Sequence, residues 1–126
     1  MESSIINFAR VIVVRMWMVD PQIMCRNHLL GEHVEIHLFV WNIDAGHSVK
    51  GYIDKGLLEI HNLYNRHEEL ARELRKRGYK HNSKLDEKWK MAKNAGSINR
   101  EKSLRDLIER CAKCRERYEQ FTRNSE

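Results

Sequence analysis

Residues 20–41 read DPQIMCRNHLLGEHVEIHLFVW, and the fold turns on this stretch. Asp20-Pro21 is a helix-start signal, because an aspartate caps free N–H groups and proline fits a first turn, where its missing N–H is no loss. The predicted helix runs from Pro21 to about Trp41. At 100° per residue, Ile23, Leu30, Val34, Leu38 and Trp41 form one apolar stripe, and Leu29, Ile36 and Val40 form a second. Between them run two polar strips, one with His28, Glu32 and Glu35, the other with Arg26, His33 and His37. Two apolar stripes predict a central helix gripped from two sides. Its polar groups must then be paired or must line a cleft.

Working outward, residues 5–19 are rich in Ile and Val, but no second strand-like run stands ready to pair with them, so a sheet is not expected. Asn42 to Lys50 (NIDAGHSVK) reads as a loop. A second helix carries Leu57, Ile60, Leu63, Tyr64, His67, Leu70, Ala71 and Leu74 at three-and-four spacing. It ends in RKRGY, where Lys76 and Arg77 suit a helix C-terminus and Gly78 its cap. Residues 79–96 are mixed and lysine-rich, with Trp89 and Met91 as expected core anchors. A third helix starts near Ser97, with Leu104, Leu107, Ile108, Cys111, Cys114, Tyr118 and Phe121 on its apolar face. The expectation is an all-α single domain of about three packed amphipathic helices, with an irregular apolar N-terminal segment.

A chain of 126 residues with 41% apolar residues can bury a core without disulfide or metal staples. The formal charge of +5 is uneven: residues 1–50 carry a net −1 and residues 51–126 a net +6. A basic C-terminal half suits a polyanion binder, or serves as a solvated face. Three cysteines do not make a secreted disulfide framework. The opening MESSIINFARVIVVRMWMVD is interrupted by Arg10 and Arg15 and lacks a small-residue cleavage site, so neither signal peptide nor membrane span is expected, and the expected compartment is the cytoplasm or nucleoid.

The densest chemistry lies in Cys25 to His37, which supports three readings. In the first, the His and Glu groups only tie a central helix to its neighbours. In the second, His33 and His37, at i, i+4, bind a metal. Cys111-x-x-Cys114 could add ligands, but no second pair stands at finger-like spacing, and both thiols fall on an apolar face as small core residues do. No metal or cofactor is therefore expected. In the third, Glu32 and Glu35 are carboxylates in a polar notch beside His28, able to stabilise positive charge at a sugar C1′ or to move protons around it.

The stretch Arg15-Met-Trp-Met-Val-Asp-Pro21 through Cys25-Arg-Asn-His-Leu-Leu-Gly-Glu-His-Val-Glu-Ile-His37 resembles the opening of the pyrimidine-dimer DNA glycosylase family, the phage-type endonuclease V proteins. Glu69 to Tyr79 resembles that family's Glu-Leu…Leu-Lys-Arg-Gly-Phe segment, and Asn99-Arg-Glu-Lys-Ser-Leu-Arg onward is similar to bacterial members. The resemblance implies an all-helical fold and a two-step reaction: a terminal amine attacks C1′ of the damaged nucleotide, expels the base through a Schiff base, and cleaves the strand by β-elimination. An α-amine titrates near 8, so a useful fraction is neutral at pH 7. Matched by position, Glu35 corresponds to the family's essential glutamate, Arg15 to an arginine beside the nucleophile that anchors a phosphate, and His28 to a histidine on the same helix. Glu32 also falls on a family glutamate, without an assigned role.

The sequence departs from the phage pattern in three places. Val34 and Leu38 stand where the phage proteins carry DNA-contacting arginines, which shifts the phosphate grip to Arg26, His33 or the third helix, where Lys113 and Arg117 lie one turn apart. The aromatic-rich C-terminal tail is missing. Thirteen residues precede Val14, which the resemblance places at the nucleophile. The expected organisation is thus an extension over 1–13 and a glycosylase-like domain over 14–126, with translation starting at Val14 through a GUG codon. The expected partner is lesion-containing double-stranded DNA, with no membrane and no obligate protein partner. A non-catalytic helical module binding distorted DNA is the alternative.

Overall fold

The computed structural model describes residues 14–81 and 83–124; the expectations for residues 1–13 lie outside the described residues. Five α-helices follow one another: α1 (Arg26–Asp44), α2 (Lys50–Asp54), α3 (Leu63–Lys76), α4 (Arg100–Arg110) and α5 (Ala112–Asn124). Of three 3-10 turns, Pro21–Ile23 precedes α1 while Ile60–Asn62 and Glu87–Met91 lie between later helices, and no strand occurs among the described residues. The all-α reading holds. No helix among the described residues is long and apolar enough to cross a membrane.

The helix expected to start at Pro21 starts at Arg26. Asp20 does cap, accepting from the Gln22 N–H at 2.9 Å, but it caps the 3-10 turn. The backbone is then extended at Met24 and Cys25, which turns both side chains into the core. α1 packs against α3, and its buried face is Leu29, Glu32, His33, Ile36 and Phe39. The grip from two sides is corrected: Val34, Leu38 and Trp41 are exposed, Trp41 at 61%. The second stripe, with Phe39 added, meets the core, whereas the first has Ile23 buried and Leu30 half-buried and runs along the surface only from Val34 onward.

α3 has the strongest amphipathic pattern, burying Leu63, Leu70, Ala71 and Leu74 along one stripe. It ends as its sequence dictates, with Arg75 and Lys76 in the last turn and Gly78 in the left-handed region at φ +92°. Arg77 joins this end to the 3-10 turn, donating to Glu73 Oε2 at 2.8 Å and to the Pro21 carbonyl at 3.0 Å.

The expected third helix is broken in two. Asn99 caps α4 through the Lys102 N–H, and the chain turns extended at Cys111 (φ −121°, ψ 108°) before α5. Of its expected apolar face, Leu107 and Cys114 are buried and the rest half-buried. Trp89 is a core residue as expected, whereas Met91 is 88% exposed because the 3-10 turn around it is too short to bury both. Gly96 (φ +95°) lets the chain cross residue 58: a Cβ there would lie 2.0 Å from the Leu58 carbonyl oxygen.

Candidate active site

The segment 14–20 has no regular structure and lies between α1 and α4. The Met16 N–H donates to the Leu57 carbonyl at 2.9 Å, and the Ser103 hydroxyl of α4 donates to the Trp17 carbonyl. Met18 sits at φ +55°, a strained position for a side chain of its size. The neighbouring anchors hold it there, since the Val19 carbonyl accepts from Arg66 at 2.7 Å.

These anchors bring the backbone of residue 15 to α1. The Arg15 N–H donates to Glu35 Oε2 at 3.2 Å. Glu35 is half-buried, and burial pushes its pKa up to about 7, with Glu32 adding to the rise; the Arg15 N–H, His28 and the Arg15 guanidinium pull it partly back. A carboxyl poised at neutral pH can both accept and return a proton.

The Arg15 guanidinium is 6% exposed. It lies 4.0 Å from the centre of the Trp17 ring and donates to Ser103 Oγ at 2.9 Å and to the Met16 carbonyl at 3.3 Å. It makes no ion pair among the described residues, and burial lowers its pKa while Asp106, Glu32 and Glu35 act the other way. Glu32 does not share a notch with Glu35. It is fully buried and held in a two-point pair by Arg66 of α3, at 2.7 and 2.8 Å. Arg66 also holds Glu69 at 3.2 Å, so this buried pair bolts α1 to α3. The sequence reading missed Arg66, although it sits on the apolar face of its helix between Leu63 and Leu70, an unusual place for a cation.

The residues expected at DNA divide. Arg26 is exposed, with its guanidinium 5.6 Å from the Tyr79 ring centre, and Lys113 is exposed on α5. Arg117 uses Nε and Nη2 on the Gln22 carbonyl at 3.1 and 2.9 Å. His28 points not to the surface strip but to sulfur: its Nδ1 lies 3.3 Å from Cys25 Sγ and 3.7 Å from Cys114 Sγ, and its ring packs edge-on to Trp17.

His33 is buried among imidazoles. Its Nε2 is 2.7 Å from His81 Nε2, and the rings of His37, His67 and His81 lie 4.6–4.9 Å from its own. Burial first, then the three neighbouring rings, push its pKa down to about 4, and His37 and His81 are lowered too. His67 turns Nδ1 to Glu68 at 2.8 Å and Nε2 to the Ser83 carbonyl at 3.1 Å. Periodicity paired His33 with His37 but could not reveal His67 and His81, which arrive from other segments. Nor did it reveal that Cys25, His28, Cys111 and Cys114 converge, with donor atoms all within 4.8 Å of one another.

No curated protein and no solved structure matches the chain. Residues 14–87 match the family described as pyrimidine dimer DNA glycosylase. They span the Arg15–Glu35 contact, all of α1 and α3, and the buried Glu32–Arg66 pair. On that match, covering more than half of its length, the chain belongs to the pyrimidine dimer DNA glycosylase family.

Proposed function

We propose that this family member is a DNA glycosylase with AP-lyase activity, whose nucleophile is the α-amine of a chain beginning at position 14 and whose proton carrier is Glu35. The single observation that carries the reading is the 3.2 Å contact from the Arg15 N–H to Glu35 Oε2. One residue spans at most about 3.6 Å, so an amine at position 14 lies no more than about 7 Å from that carboxylate. The family match begins at the same residue.

The neutral amine attacks C1′ of the damaged nucleotide. The glycosidic bond breaks with its electron pair leaving on the base, which takes up a proton. Loss of the amine's proton and transfer of one to O4′ open the sugar ring and leave a protonated Schiff base. Removal of a C2′ proton then expels the 3′ phosphate by β-elimination, and water releases the enzyme. Each cationic stage gains from a carboxylate at hand, and each proton step needs a group titrating near neutrality. Glu35 meets both needs. Arg15 serves to position it, because its own guanidinium is buried against Trp17 and Ser103 rather than offered to a phosphate. The nucleotide is flipped out of the duplex to reach the amine. Arg26 and Lys113 grip the backbone, and the exposed Val34 and Leu38 beside Glu35 meet the DNA as apolar contacts.

Trapping with borohydride on duplex containing pyrimidine dimers tests the reading. The 14–126 form is expected to give a covalent adduct, and the 1–126 form is expected to give far less. Equal trapping by both forms, or by neither, would remove the terminal-amine mechanism. Binding of damaged duplex without strand nicking would favour a non-catalytic module.

A further inference from the structure

The geometry points to a structural zinc site built from Cys25, His28, Cys111 and Cys114, which fastens the start of α1 to the α4–α5 junction. Four donors of suitable type converge. Cys25 Sγ and Cys111 Sγ are 3.8 Å apart, and His28 Nδ1 lies 3.3 Å from Cys25 Sγ and 3.7 Å from Cys114 Sγ. A tetrahedral zinc with Zn–S of about 2.3 Å and Zn–N of about 2.0–2.1 Å requires edges of about 3.8 Å between sulfurs and about 3.5 Å from sulfur to nitrogen. The Cys25–Cys111 edge matches the first value, the two edges to His28 bracket the second, and all four donor atoms lie within 4.8 Å of one another. Three thiolates and one imidazole form a closed set that leaves no position for substrate, as structural rather than catalytic zinc sites do.

The backbone is shaped for the same purpose. Cys25 stands at the N-cap of α1, so Cys25-x-x-His28 turns both donors to one side of the first turn. Cys111 stands at the break between α4 and α5, and that break lets Cys111-x-x-Cys114 present both sulfurs to the same point. In a continuous helix the two would simply be stacked on one face. The Cys25 N–H donates to Cys114 Sγ at 3.2 Å and the Cys114 N–H to Cys111 Sγ at 3.4 Å, contacts that offset the charge of coordinated thiolates. All three cysteines are free, and three sulfurs cannot be satisfied by one disulfide. Packing of small apolar residues would explain buried thiols. It would not explain the aim of an imidazole nitrogen and three sulfurs at one centre. Soft sulfur donors favour zinc over magnesium, calcium or manganese.

The inference stands apart from the glycosylase reading, and its test does not use activity. Untagged full-length protein is purified without added metal, and its zinc is measured by elemental analysis. The thiol site is then filled with cobalt(II), whose thiolate-to-metal charge-transfer band marks sulfur ligands. One zinc equivalent and an intense band in the wild-type chain are expected, with both lost in Cys111→Ser/Cys114→Ser. Metal held by the imidazoles of His33, His37 and His67 would give no thiolate band, which keeps the two clusters distinct. Absence of the band from folded, cobalt-loaded wild type would overturn the site, as would retention of the full equivalent in the double variant. The wild-type spectrum decides the matter even where the double variant does not fold.

Discussion

Glu35 and Glu32 stand three residues apart on one helix, and their surroundings give them opposite work. Glu35 has one backbone N–H and a half-buried setting that lifts its pKa to about 7, whereas Glu32 is locked into Arg66. Replacing Glu35 by Gln removes the proposed proton carrier while keeping the shape, and strand cleavage is expected to fall by about 10²–10⁴-fold. Stability should move the other way. A carboxyl whose folded pKa is raised binds more protons folded than unfolded between about 4.5 and 7, so ionisation costs stability as pH rises through that window. At pH 8, Glu35→Gln should therefore melt above wild type, and a lower melting temperature would contradict the raised pKa. Glu32→Ala has the reverse profile: it leaves the buried Arg66 guanidinium with only the partly exposed Glu69 as a carboxylate partner, a loss of about 3 kcal/mol in urea unfolding. The position of Glu35 was legible through resemblance. The partner of Glu32 was not, because helical period says which face a residue takes and nothing about what arrives opposite it.

At the scale of elements, the sequence signals were mostly right and their extents were not. The Asp20-Pro21 cap is genuine, yet it serves a 3-10 turn, since the chain must turn extended at Cys25 before a helix can begin. The C-terminal end of α3 was readable from RKRGY because capping is local chemistry. The break at Cys111 was hidden, because the apolar face of residues 104–121 keeps helical spacing across it. The outward stripe of α1 was read as core because apolar side chains at helical spacing look alike whether they are covered or bare. These helices also sort the basic residues. Lys113 on α5 is free to meet a phosphate, whereas Arg117 one turn on is spent on the Gln22 carbonyl. Lys113→Ala is expected to lower the slope of log affinity against log salt by about 0.9, as one lost phosphate contact does. Arg117→Ala should act mainly on stability; an equal change of slope in both variants would contradict this division.

For the molecule as a whole, two polar clusters hold the helices together from opposite sides of α1, and neither was visible as a set in the sequence. Cys25 and His28 meet residues more than eighty positions away, and His33 and His37 meet His67 and His81. Such sets are properties of the fold. The imidazole cluster carries a consequence for pH. His33 titrates at about 4, and His37 and His81 are lowered as well, among neighbours that include His67, Arg75 and Glu68. A histidine whose folded pKa is depressed binds fewer protons folded than unfolded, so its contribution is intact above about 6.5 and lost as pH falls towards 4. Against the opposite trend that Glu35 contributes in this range, lowering the pH from 7.5 to 5.0 should reduce the urea midpoint of wild type more than that of His33→Gln. An identical pH dependence in the two proteins would contradict a depressed His33 pKa.

In the proposed mechanism, an amine one residue before Arg15 does its chemistry against Glu35. The most direct measurement is peptide mapping by mass spectrometry of the borohydride-trapped adduct between the 14–126 chain and dimer-containing duplex. The reduced sugar is expected on the α-nitrogen of position 14, with the adduct greatly diminished in Glu35→Gln. A sugar carried on a lysine side chain instead, or an adduct that forms undiminished without the carboxylate, would contradict it.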